Sequence, residues 1–178
     1  MNKHTIVILF LFFLVVLVIC LSACQEDDEL PPVTSEGKNT FGCLVNGKLW
    51  LPKGSFNVPG TSADYASNFF LTISAGNNTT NSGFSFIVYD PVLVDHLYNL
   101  TDTTSIKAYY QNKFDDDKYA CIYEDYHVLN GSLEITKFNL QNQHKVLSGT
   151  FEFTTYNPDC GDTIKVTEGR FDIGDITY

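Results

Sequence analysis

An all-β domain is the fold class that the sequence predicts for residues 39–178. The expected arrangement is an antiparallel β-sandwich, with a closed or half-open β-barrel as the alternative. Three observations predict it. After position 39 nearly every apolar segment is short and alternates with period two, as a half-buried strand does. These segments end in Gly, Asn, Asp or Pro, the residues of turns. No long helical periodicity separates them. Uneven strand lengths and one long connection favour the sandwich over the barrel.

The elements follow in order. In FGCLVNGKLWLP, Asn46-Gly47 is a two-residue hairpin signal, because a type I′ turn needs positive φ at both central positions. That turn sets Leu44 opposite Leu49 and Cys43 opposite Trp50. NFFLTISA places Phe69, Leu71 and Ile73 on one face, and GFSFIVYD does the same for Phe84, Phe86 and Val88. DPVLVDHLYNL is ambiguous. Asp90 with Pro91 could start a helix bearing Leu93, Leu97 and Leu100 on one side, or the segment could be a loop and a short strand. SIKAYY and KYACIY are two further strands joined by QNKFDDD. YHVLNGSLEITKF carries a second Asn-Gly turn signal at Asn130-Gly131, and HKVLSGTFEFTTY aligns Leu147, Phe151 and Phe153. TIKVTEGRFDI closes the chain as a hairpin turning at Glu168-Gly169.

Ahead of the domain lies a different kind of sequence. Residues 6–21 are apolar throughout and follow Lys3, a run slightly short of the roughly 20 residues of a membrane-spanning helix. Basic start, apolar middle and small residues are the parts of a secretory signal. Leu21-Ser22-Ala23-Cys24 resembles a bacterial lipobox. The resemblance implies that residues 1–23 are a lipoprotein signal peptide. It also implies that Cys24 becomes the first residue, carrying diacylglycerol and palmitate-like chains. Two or more acyl chains suffice for firm anchoring, since each buried methylene contributes about 0.8 kcal/mol. Gln25, Glu26, Asp27, Asp28 and Glu29 resemble the acidic export signal of Bacteroidota surface lipoproteins. The expected location is therefore the outer membrane, facing the exterior, with the periplasmic face as the alternative. Residues 24–38 read as an acidic linker stiffened by Pro31-Pro32.

The net charge is −10 over 178 residues, and removing residues 1–23 makes the balance more acidic still. Nucleic acid is an unsuitable partner, because its phosphates demand basic patches. The expected partners are the membrane, through the acyl chains on Cys24, and a glycan or an envelope protein at the exposed domain.

Besides Cys20 and Cys24, the chain has Cys43, Cys121 and Cys160. An oxidising export route makes one disulfide plausible, and three thiols allow three pairings. Cys43 alternates with apolar neighbours, as a small buried hydrophobe would. The expected bridge is Cys121–Cys160.

Three stretches, NTFGCLVNGKLWLP, SGTFEFTTYN and GDTIKVTEGRFDI, resemble a family of Bacteroidota lipoproteins of unknown function. Trp50 in the opening hairpin and Gly169-Arg170-Phe171-Asp172 in the closing element carry the likeness. It spans position 39 to the end, and implies an anchored β-domain without implying any reaction, ligand or catalytic residue.

The sequence carries no catalytic constellation. His96, His127 and His144 stand at no metal-ligand spacing, and no metalloprotease, nucleophile-elbow or P-loop pattern occurs. Asp95-His96 would point to opposite faces of a strand. Asp115-Asp116-Asp117 lacks the alternate spacing and glycine of a calcium loop and reads as a solvated hairpin loop. Neither a metal nor a cofactor is expected. Tyr109, Tyr110, Tyr119 and Tyr123, with Tyr126 beside them, crowd two adjacent strands. They are candidates for an aromatic platform against which sugar rings stack, in competition with ordinary cross-strand packing. Thr103 and Thr163, in Asp-Thr-Thr and Asp-Thr-Ile, resemble short O-glycosylation sites of exported Bacteroidota proteins.

Overall fold

Twelve strands build the domain in the computed structural model, which describes residues 29–56, 58–66, 69–89, 91–112, 121–141 and 144–178. In chain order they are β1 (Thr40–Val45), β2 (Lys48–Trp50), β3 (Thr61–Ala66), β4 (Phe70–Asn77), β5 (Ser82–Tyr89) and β6 (His96–Asn99). They continue with β7 (Ile106–Asn112), β8 (Cys121–Tyr123), β9 (Val128–Asn139), β10 (Val146–Asn157), β11 (Asp162–Ile173) and β12 (Ile176–Thr177). A 3-10 turn, Asp125–His127, precedes β9.

The strands form two six-stranded sheets, ordered β2-β1-β11-β10-β9-β6 and β12-β3-β4-β5-β7-β8. Neighbours are antiparallel except β12, which runs parallel to β3. Neither sheet closes on itself, so the fold is the β-sandwich and not the barrel. The sheets meet through their apolar faces. Phe41, Phe151, Phe153 and Phe171 of the first sheet and Phe84 and Phe86 of the second are buried together. Their ring centroids approach to 5.7 Å for Phe41–Phe84 and 4.9 Å for Phe86–Phe151. Each such ring contributes about 1.5–3 kcal/mol through burial.

Alternation does the sorting. Leu71, Ile73 and Ala75 of β4 and Phe84, Phe86 and Val88 of β5 point inward, while the intervening positions face out. The opening hairpin has the expected register, with Leu44 opposite Leu49 and Cys43 opposite Trp50. Asn46 and Gly47 sit at φ 50° and 75°, as the type I′ turn requires. The ambiguous segment after β5 is a loop followed by the short strand β6, not a helix.

Three local expectations are corrected. Asn130-Gly131 is no turn but lies inside β9, where Leu129 is the extra residue of a bulge opposite Thr154 and Thr155. Gly131 serves close approach: a Cβ there would strike Phe153 and the Glu152 carbonyl. Glu168-Gly169 is likewise a bulge inside β11, with Glu168 at φ 54°. Both dipeptides have turn chemistry, yet each is paired with the twelve-residue β10, so the strand runs on through a bulge instead of reversing. Phe69 precedes β4 and is exposed, because the inward face of that strand begins at Leu71.

Part of the segment read as linker is bonded to the first sheet. The buried carboxylate of Asp172 accepts from Thr34 Oγ1 at 2.6 Å and from the backbone N–H of Glu36 at 3.0 Å and Gly37 at 2.7 Å. Burial acts to raise its pKa, but these hydrogen bonds, with another from the Lys38 N–H, outweigh it and lower the pKa below the ordinary carboxylate value.

Candidate functional site

The outer face of the second sheet carries a depression, and its origin is the residue pattern. At outward positions β3, β4 and β5 place serines in one row: Ser62 opposite Ser74, Ser74 opposite Ser85, and Ser85 opposite Tyr109 of β7. The adjacent row runs Gly76, Gly83, Gln111 and Ile122 across β4, β5, β7 and β8. Small side chains in the middle and larger ones at the β7–β8 side leave an open trough of about 560 Å³. That volume lies within the range of small-ligand sites, about 300–1,000 Å³.

The opposite wall is the connection from β2 to β3, which runs beside the end of β4 and bridges it at Lys53 and Asn77. Lys53 N–H donates to Gly76 O at 2.9 Å, Asn78 N–H to Lys53 O at 2.9 Å and Gly76 N–H to Gly60 O at 2.8 Å. Asn77 Nδ2 also donates to Leu51 O at 2.9 Å. Reciprocal bonds between Ser55 and Val58 close the connection's tip, where Phe56 is 92% exposed. The wall is thus fastened to the floor by main-chain bonds.

Chemically the trough offers hydroxyls, amides and an aromatic ring. Among the described residues its lining holds no Asp, Glu, Lys, Arg or His. Burial first, and then the nearby Asp125, push the Tyr109 phenol above its ordinary value, so it is neutral at physiological pH. The adjoining row carries charge only towards its ends, at Asp64 and Lys107. Lys107 pairs with Asp125 at 3.5 Å. The described lining therefore offers groups that can hold a ligand through hydrogen bonds and ring contact.

The tyrosine platform is corrected. Tyr110 and Tyr123 face the core, and their ring centroids lie 5.6 Å apart. Burial pushes the Tyr110 phenol up to about 12, and Tyr123 Oη donates to Asp162 Oδ1 at 2.6 Å. Successive residues on a strand point to opposite faces, so of the pair Tyr109-Tyr110 only Tyr109 reaches the outer surface. Tyr119 lies outside the described residues. Tyr126 is exposed on the 3-10 turn, its ring 4.2 Å from that of His127. The His127 Nδ1 atom is buried with no hydrogen-bond partner, away from the trough lining.

The disulfide joins Cys121 of β8 to Cys160 in the β10–β11 turn, with 6.2 Å between their Cα atoms. It ties the second sheet to the first. Cys43 is free and buried. Thr103 lies half-buried in the turn that Asp102 organises by accepting from Thr104 and Ser105. Thr163 is exposed on β11 opposite Tyr156. Asp95 has φ 55° just before β6, and His96 packs edge-on to Tyr98 at 4.8 Å. Among the described residues no group of three His, Cys, Asp or Glu side chains could hold a metal ion. Cys24, Gln25, Glu26, Asp27, Asp28, the apolar run 6–21 and Asp115-Asp116-Asp117 lie outside the described residues, whereas Glu29 is described and exposed. Among the described residues no helix is long and apolar enough to cross a membrane.

A family model described as a domain of unknown function, DUF6252, matches residues 45–173, well over half of the chain. No curated protein and no solved structure matches. The matched region starts at the last residue of β1 and ends with β11, so it contains the trough, its wall and the disulfide.

Proposed function

We propose that this chain, which belongs to the DUF6252 family, is a lipid-anchored binding module of the bacterial envelope. In this reading Cys24 is acylated, residues 25–29 direct the protein to the outer face of the outer membrane, and the domain engages its ligand through the trough. The observation that carries the binding role is the trough's lining: a shaped cavity, walled by a fastened loop, with hydrogen-bonding groups and, among the described residues, no acid–base pair. The anchor is supported by the order of Lys3, the apolar run, Leu21-Ser22-Ala23-Cys24 and the acidic residues.

Intact-mass measurement of the membrane-extracted protein tests the anchor. The expected species begins at Cys24 and carries two or three acyl chains; an unacylated full-length chain would refute it. Protease added to intact cells tests orientation: digestion of the domain is expected, and full protection would place it on the periplasmic side.

A further inference from the structure

We infer that the trough takes an uncharged oligosaccharide, lying across β4, β5 and β7 with a sugar ring against Tyr109. The inference rests on the reading of the trough as a binding site and names the class of ligand. The first argument is charge. The chain carries 21 acidic residues and a net charge of −10, yet the described lining of this cavity contains no ionised side chain. A charged ligand would lose hydration on entering and meet no counter-charge among the described lining residues.

The second argument is the distribution of polar groups. Each of the in-register hydroxyls of Ser62, Ser74 and Ser85 can donate and accept, and Gln111 adds an amide with both capacities. A hydrocarbon ligand would strip water from these groups and replace none of its hydrogen bonds. An extended peptide is matched no better. Peptide strands gain main-chain hydrogen bonds at a sheet edge, whereas the trough lies on the face of β3-β4-β5-β7, whose main-chain groups already serve the ladders. A polyhydroxylated chain has dispersed donors and acceptors with C–H faces between them, and that is what the lining complements. Tyr109 supplies the neutral ring, while Ile87 and the half-exposed Ile122 extend the apolar contact.

The test uses the full chain in detergent micelles and a panel of neutral hexasaccharides (of glucose in α and β linkage, of mannose and of xylose). A galacturonate hexamer and a random peptide library are the controls. Gly76→Trp and Ser85→Trp fill the trough from its floor; a Cβ at Gly76 meets nothing within 4 Å, so at least that variant is expected to fold. Melting temperatures verify folding. At least one neutral hexasaccharide should bind, weakened about tenfold or more by either tryptophan and by Tyr109→Ala. Binding of galacturonate or peptide alone, abolished by the tryptophans, would overturn the sugar assignment while leaving the trough as a binding site. Sugar binding that the folded tryptophan variants leave intact would overturn the trough itself. Failure of every neutral sugar to bind would also overturn the inference.

Discussion

The indole Nε1–H of Trp50 donates to the hydroxyl oxygen of Ser82 at 2.8 Å, and so joins β2 of the first sheet to β5 of the second. Both residues are buried, and the indole lies edge-on to Phe84 at 4.7 Å. Ser82→Ala should destabilise the domain by about 1–3 kcal/mol, because it leaves the buried N–H without its acceptor. Urea unfolding followed by tryptophan fluorescence measures this, since the chain has one Trp. A change within error would show that water replaces the hydroxyl.

In the same cross-strand row as Ser82, by way of Asn112, Cys121 closes the sandwich covalently. Cys121 and Cys160 are 39 residues apart in sequence, and a loop of that length corresponds to about 4 kcal/mol in the chain-entropy account. A Cys121→Ala, Cys160→Ala double variant should lose stability on that scale. Tyr123–Asp162 and the 2.7 Å bond from Asn157 Nδ2 to Ile122 O remain to hold the edge. Burial pushes the Cys43 thiol up to about 12, so it should resist alkylation in the native state. In denaturant without reductant, residues 39–178 should yield one labelled thiol, at Cys43; labelling at Cys121 or Cys160 would contradict the bridge.

Asp172 makes stability depend on pH. Folding lowers its pKa, so its contribution is complete above the unfolded value of about 3.9 and is lost as pH falls through the folded value. Asp172→Asn should cost about 1–3 kcal/mol at neutral pH, by weakening charge-assisted bonds to Thr34, Glu36 and Gly37. It should also flatten the acid limb of the stability curve. Denaturant titrations at neutral and strongly acidic pH check both, and an unchanged acid limb would remove Asp172 as the cause.

Two glycines should respond oppositely to the same change. A Cβ at Gly149 would collide with the Glu134 carbonyl oxygen and the Phe171 ring, while one at Gly76 would project into open space. Gly149→Ala should destabilise by about 1–3 kcal/mol or more, and Gly76→Ala should be nearly neutral. Thermal melts of the two variants compare them directly. Equal effects would show that β10 can shift away from its neighbours.

Legibility followed the range of the interaction. Period-two alternation is local, so the inward faces of β4, β5 and β10 could be read from Leu71, Phe84 and Phe151 before any partner strand was known. The Asn46-Gly47 hairpin could be read for the same reason. Asn130-Gly131 carries the same turn chemistry and Glu168-Gly169 shares its glycine, but both strands pair along β10, and β9 and β11 take up the irregularities as bulges. A signal for the trough did exist, in Ser74-Ala75-Gly76 and Gly83-Phe84-Ser85, where outward positions are small. It gained meaning only once those positions became neighbours.

By itself the sequence determined the all-β class of fold, the alternation within each strand and the first hairpin, because each depends on local steric preference, whereas the bridge Cys121–Cys160 was one of three pairings the sequence allowed and was settled by the fold. Tertiary structure alone decided which strands adjoin, which dipeptides turn, and that Ser62, Ser74, Ser85 and Tyr109 share one row. The reason is physical: register between strands distant in the chain is set by packing the two apolar faces together, and the outer surface inherits whatever arrangement that packing imposes.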